Sequence, residues 1–212
     1  MDTPKNPMSL NHRIRESLSR LAVVMRYDDW NRAKAVGLNP AQLSILETLR
    51  GREAGMGVKE IAVHFAVSQP SASDSIFALE RKGLVEKRNG SDKRAVVVSL
   101  TPKGHSVLTS SLQEGTAFEQ AISALVDNEQ EELLLFLVKL IRHLQDVNAI
   151  PIQRMCATCR HFVPFKRADT GRPHHCNLAD VSFGRGDIRI DCNEHKIAHP
   201  KSQADACGAL GA

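Results

Sequence analysis

The stretch that decides the fold is residues 68–101, SQPSASDSIFALERKGLVEKRNGSDKRAVVVSLT. Ser68 is a natural N-cap, and Pro70 falls in a first turn where no intrahelical N–H bond is lost. Ala72, Ile76 and Leu79 recur at helical steps and define an inner face. Gly83 supplies the left-handed residue that ends such a helix. Leu84 to Arg88 and Ala95 to Leu100 then read as two strands around Asn89-Gly90, a good hairpin signal. A short helix from about Val58, burying Ile61, Ala62 and Phe65, precedes them. Helix, tight turn, helix and basic hairpin make a winged helix-turn-helix.

Outward from this core, Leu10, Ile14, Leu18, Leu21 and Met25 predict a long amphipathic helix from Leu10 to about Val36, closed by Gly37. Asn39-Pro40 opens a second helix, with Leu43, Leu46 and Leu49 inside and Gly51 beyond its end. After the hairpin, Thr101-Pro102 starts a helix over about 102–123. Asp127 with Gln130 imitates a capping box and opens a leucine-rich helix to about Val147. Its Leu133–Val138 segment is apolar nearly all round, so it must bury more than one side, and a dimer interface is the economical solution.

The 212 residues carry a net charge of +4, with 42% hydrophobic and 25% charged residues, the proportions of a soluble globule. Arg81 to Arg94 holds six basic residues against two acidic ones, so this one segment matches the whole chain's net charge. The longest apolar run, Leu133 to Val138, falls far short of the ~18 residues a membrane span needs. The N-terminus lacks an apolar signal-peptide core, and a cytoplasmic location is expected. Near the N-terminus of the helix at 68, the short side chains of Ser68, Gln69, Ser71 and Ser73 are candidates for base or phosphate contact in a major groove. On the hairpin, Lys87, Arg88, Asp92, Lys93 and Arg94 are candidates, with Lys93 or Arg94 suited to a minor groove.

From Leu10 to Val147 the chain resembles the multiple-antibiotic-resistance regulator (MarR) family. The resemblance rests on Asn39-Pro40-Ala41-Gln42 with Ile45-Leu46, on Ala78 through Val85, on Asp92-Lys93-Arg94, and on Val98 through Gly104. It implies an obligate homodimer, built from the first helix and the last two, that binds a pseudo-palindromic double-stranded operator. It also implies that Asp92 orients Arg94. Asp74 departs from the pattern, since relatives commonly carry a basic residue there. An acid at that place accepts from a cytosine amine or faces solvent.

Beyond Pro151 the composition turns to Gly, Pro, His and Cys. The expected organisation is a loose tail at 1–9, a winged-helix and dimerisation domain at 10–149, a cysteine-rich module at 150–200, and a tail at 201–212. The fold class is mainly α with a small β-wing, plus an irregular metal-binding module. Cys156 and Cys159 form a C-x-x-C on one turn; sixteen residues separate Cys159 from Cys176, and fifteen separate Cys176 from Cys192. In a reducing compartment such a set is a metal site rather than a disulfide framework.

Two metals fit the spacing. Tetrahedral zinc on four thiolates would staple a segment too poor in apolar residues to hold itself. Alternatively, Cys156-Ala157-Thr158-Cys159, Cys176 and Cys192 resemble the ligand pattern of high-potential iron–sulfur proteins and related small 4Fe–4S modules. Asp191 stands where those carry a tryptophan, so their electron-carrier chemistry is not implied. His161, His174, His175 and His195 lie near the cysteines, where any could replace a thiolate, and the favoured reading of each is an exposed or supporting imidazole. Cys207 has no place in the set. The leading expectation is a repressor whose operator affinity responds to a 4Fe–4S cluster. The alternative is a regulator with structural zinc and a small-molecule effector pocket. A tethered enzyme, with His195, Asp191 or Glu194 as acid or base, is disfavoured because four cysteines would fill the metal's shell.

Overall fold

The computed structural model describes residues 8–89, 96–111, 115–167 and 171–199. The expected tails at 1–9 (apart from its last two residues) and 201–212, the wing residues Asp92, Lys93 and Arg94, and Cys207 lie outside them. Two compact units emerge. One comprises Met1–Ala62 with Ser68–Ala124; the other comprises Leu125–Ala212 with the Val63–Val67 segment. The division at Leu125 falls earlier than the change in composition at Pro151.

In the first unit, α1 (Leu10–Ala35) and α2 (Pro40–Leu49) are capped by Ser9 and Asn39, whose side chains accept from the N–H groups of His12 and Gln42. A two-residue strand β1 (Met56–Gly57) leads into α3 (Val58–His64), and α4 (Gln69–Arg81) follows behind the Ser68 N-cap. Strands β2 (Val85–Asn89) and β3 (Val96–Leu100) pair antiparallel from Val85 opposite Leu100 to Asn89 opposite Val96. Because β1 pairs with the other edge of β3, the expected hairpin is a three-stranded sheet of order β1-β3-β2. Leu43, Leu46, Leu49, Ile61, Ile76, Leu79, Val85 and Val98 are all buried, so the inner stripes of α2, α3 and α4 are covered as their periodicity predicts, and α2 and α4 pack against the sheet.

Thr101 locks the sheet to α5 (Pro102–Ser111): its hydroxyl donates to Gly83 O at 2.7 Å and accepts from Gly104 N at 3.1 Å. A Cβ on Gly104 would stand 2.1 Å from Leu84 O, so only glycine lets this helix approach the strand so closely. The single helix expected over 102–123 is two. Gly115 has φ +84°, and α6 (Ala117–Ser123) starts anew behind Thr116, which forms a reciprocal capping box with Glu119.

The second unit is built on α7 (Asp127–Asp146). Its start differs from the expected Asp127–Gln130 box. Glu129 accepts from Val126 N, while the Gln130 amide donates to Leu125 O. A 3-10 turn at Cys156–Thr158 precedes an antiparallel sheet of β4 (Phe162–Val163), β5 (His174–Cys176) and β6 (Val181–Phe183), in the order β4-β5-β6. Leu135 and Val138 of α7 form a core with Ala157, Phe162 and Ile188, and Leu134, Cys156, Cys159 and Phe183 pack around it. One apolar face of α7 is therefore covered within its own unit. The other carries Leu133, Phe136, Leu137, Leu140, Leu144 and Val147, all exposed. On α1 the stripe Leu10, Ile14, Leu18, Leu21 and Met25 is likewise exposed.

Candidate functional site

Two places carry chemistry, one in each unit. In the first, α4 turns Ala72, Ile76 and Leu79 inward, so the opposite face presents Pro70, Asp74, Phe77 and Arg81 at helical spacing. The serines expected to read DNA are engaged locally. Ser68 accepts from Ser71 N, their hydroxyls lie 2.8 Å apart, and the Ser73 hydroxyl donates to Gln69 O at 2.9 Å. Gln69 is exposed at the start of the helix, where the positive end of the helix dipole favours an anion.

The basic segment is only partly free to meet a ligand. Lys82 donates to Gly37 O at 2.8 Å and to Gln42 Oε1 at 3.2 Å, tying the end of α4 to the α1–α2 turn. Lys87 pairs with Glu80 at 2.8 Å. Arg88 is exposed on β2, and the Arg81 guanidinium lies 6.0 Å from the centre of the Phe77 ring. Reading only the inner stripe of α4 missed Phe77. Its place exactly two turns from Pro70 on the outer stripe was the available signal.

In the second unit, Cys156, Cys159, Cys176 and Cys192 are free thiols, each half-buried. All four border one cavity of about 380 Å³, walled also by Phe162, Leu178, Val181 and Phe183. The backbone brings them together as a clamp between residues 154–160 and 189–198. Cys156 N donates to Arg189 O, Cys192 N to Arg154 O, Arg160 N to Lys196 O, and Ala198 N to Thr158 O, all within 2.8–3.0 Å. Cys176 arrives from β5, whose partner β4 follows directly from the C-x-x-C turn.

Arg189 faces the sulfurs twice, with its backbone N–H 3.4 Å from Cys156 Sγ and its guanidinium 3.9 Å from Cys192 Sγ. Burial pushes the Cys156 thiol up to about 11; Cys192, Cys159 and Cys176 push the same way, against the pull of the Arg189 N–H. At neutral pH this thiol holds its proton, so a metal must displace it on binding. Among the described residues no three His, Cys, Asp or Glu side chains close around a single-ion position.

Of the four nearby histidines, only His161 borders the cavity. His174 is fully buried among Phe162, Phe165 and Phe183, and burial lowers its pKa, with Arg185 adding to the effect. His175 Nε2 lies 3.2 Å from Asp180. His195 Nε2 lies 2.9 Å from the Thr158 hydroxyl, whose own proton is directed at the carbonyls of Gln153 and Met155, so the imidazole is the donor. Of the arginines near the cysteines, Arg172 and Arg189 border the cavity, while Arg160 turns toward His161. Asp191 pairs with Arg154 at 2.6 Å.

Residues 36–95 match the MarR family. No curated protein matches the chain. Among solved structures, the organohalide-sensing RdhR transcriptional regulator in its ligand-free form is 18% identical, with 69% of this chain and 88% of that one aligned at a TM-score of 0.55. A MarR transcriptional regulator from Methanosarcina mazei is 19% identical over 64% of this chain and 99% of its own, with a TM-score of 0.56. One from Streptomyces coelicolor is 22% identical over 64% and 96%, with a TM-score of 0.53. These likenesses establish the fold, a winged helix-turn-helix, which the match of residues 36–95 to the MarR family accompanies. The four cysteines lie outside the matched residues. No helix among the described residues is long and apolar enough to cross a membrane.

Proposed function

We infer that the chain is a homodimeric repressor that binds a pseudo-palindromic operator, and that its affinity is set by a 4Fe–4S cluster on Cys156, Cys159, Cys176 and Cys192. The observation that carries the second half is the shared core of the second unit, where Cys156 and Cys159 pack against Leu135 and Val138 of α7. The opposite face of that helix is a row of exposed leucines, which a second copy of the chain would cover. Whatever alters the cysteine turn acts on the inner face of the helix whose outer face makes the dimer. The dimer in turn sets the distance between recognition helices, about 34–36 Å for half-sites one helical turn apart.

The donor set fits the cluster. Four thiols border one cavity, the Arg189 N–H groups are placed to donate to sulfur, and aromatic and aliphatic side chains limit solvent. When bound, the cluster supplies a redox- and oxygen-sensitive centre. The chain itself holds the thiolates, offsets their charge with Arg172 and Arg189, and shields them with Phe162 and Phe183.

Anaerobic purification tests this directly. The expected product is brown, with about four iron and four sulfide per protomer. Removing the cluster should shift operator affinity tenfold or more, the size of an ordinary coupling free energy. A colourless protein with stoichiometric zinc would overturn the sensing role and leave the alternative of a structural metal.

A further inference from the structure

The outward face of α4 holds a residue that neither the core nor the charge pattern explains. Phe77 is 56% exposed in the middle of the recognition helix, two turns from Pro70 and flanked on the same stripe by Asp74 and Arg81. An exposed aromatic ring there adds nothing to the fold, because Ala72, Ile76 and Leu79 already fill the inner face. Arg81 lies over the ring, within the range at which a cation is attracted to an aromatic face, which restrains the side chain and brings a positive charge beside it. The Ser73 proton is directed at Gln69 O, and one proton of the Ser68–Ser71 pair lies between their hydroxyls.

We propose that Phe77 reads the 5-methyl group of a thymine in each operator half-site. The floor of the major groove offers donors, acceptors and one apolar group, the thymine methyl, and an apolar side chain on a helix in that groove has no other partner of its own kind. Asp74, one turn earlier on the stripe, accepts only, and so pairs with a cytosine amine rather than competing for the methyl. The inference rests on the DNA-binding reading above and adds which chemical feature the helix recognises.

The test uses full-length protein and duplexes selected from a random library. Each thymine of a selected half-site is replaced in turn by uracil, which removes the methyl and nothing else. The expected result is a loss of about fourfold at one thymine position, the affinity equivalent of one buried methyl-sized group. Phe77→Ala should bind more weakly and be indifferent to that replacement, whereas Phe77→Leu should retain the sensitivity. Because Phe77 is exposed, unchanged far-UV circular dichroism is expected for both. Equal uracil penalties in the parent and in Phe77→Ala, or a Phe77→Ala change in oligomeric state without a change in thymine dependence, overturn the assignment. Failure to select any duplex overturns the DNA-binding reading itself.

Discussion

In the winged unit Leu46, Ile76 and Leu79 are each wholly removed from solvent, on helices whose apolar residues recur every three or four positions. In the α7–cysteine unit the core is Leu135, Val138, Ala157, Phe162 and Ile188, drawn from one helix and three separate stretches of loop and strand, with two cysteines at its edge. The first core closes by side-chain packing alone. The second is small for the chain it must hold, and its four thiols sit where a metal cross-link would supply what burial does not. If the cysteines bind a metal as proposed, the unit carrying α7 is the one whose stability the metal would change, and the winged unit would keep its own.

The strongest way to break this contrast is Val138→Asp. Val138 is fully buried, and an unpaired carboxylate there should cost about 4 kcal/mol or more. Hydrogen exchange should show amides of residues 155–199 losing protection while those of α2 and α4 keep it. Equal loss in both units would mean that they do not fold separately. Leu79→Ala sharpens the same contrast from the other side, at about 3 kcal/mol for a fully buried leucine. Urea unfolding should show an earlier transition for the winged unit, with metal content per protomer unchanged.

How legible these units were follows from the same difference. The caps at Ser68 and Asn39, the turn at Gly83 and the presence of two paired strands after it were readable because each is a local rule acting over a few residues. The cysteines were legible as a set from their spacing. The contacts of Arg189 with their sulfurs were not, since a loop gives no periodicity from which to place a side chain. The two-residue β1 is too short to show alternation. The all-round apolar character of α7 was assigned to a dimer interface, yet Leu135 and Val138 are used within the unit and the exposed row is only the other half. Periodicity shows that a face must be covered, not by what.

The break between α5 and α6 shows how a local signal is overlooked inside a longer pattern. Thr116 and Glu119 form a capping box, in which Glu119 N donates to the Thr116 hydroxyl and Thr116 N to the Glu119 carboxylate, both within 3.1–3.2 Å. The spacing T-x-x-E was present in the sequence, but the helical pattern on either side concealed it. Thr116→Ala removes one half of the box and should cost about 1 kcal/mol, lowering Tm by about 3 °C in a chain of this size. Thr116→Ser, which keeps the acceptor, should restore most of the loss. If Thr116→Ala instead left Tm unchanged, the start of α6 would be held by Gly115 and its positive φ rather than by the cap. The effect is the smallest of the three and belongs to the winged unit alone, so metal content should not follow it.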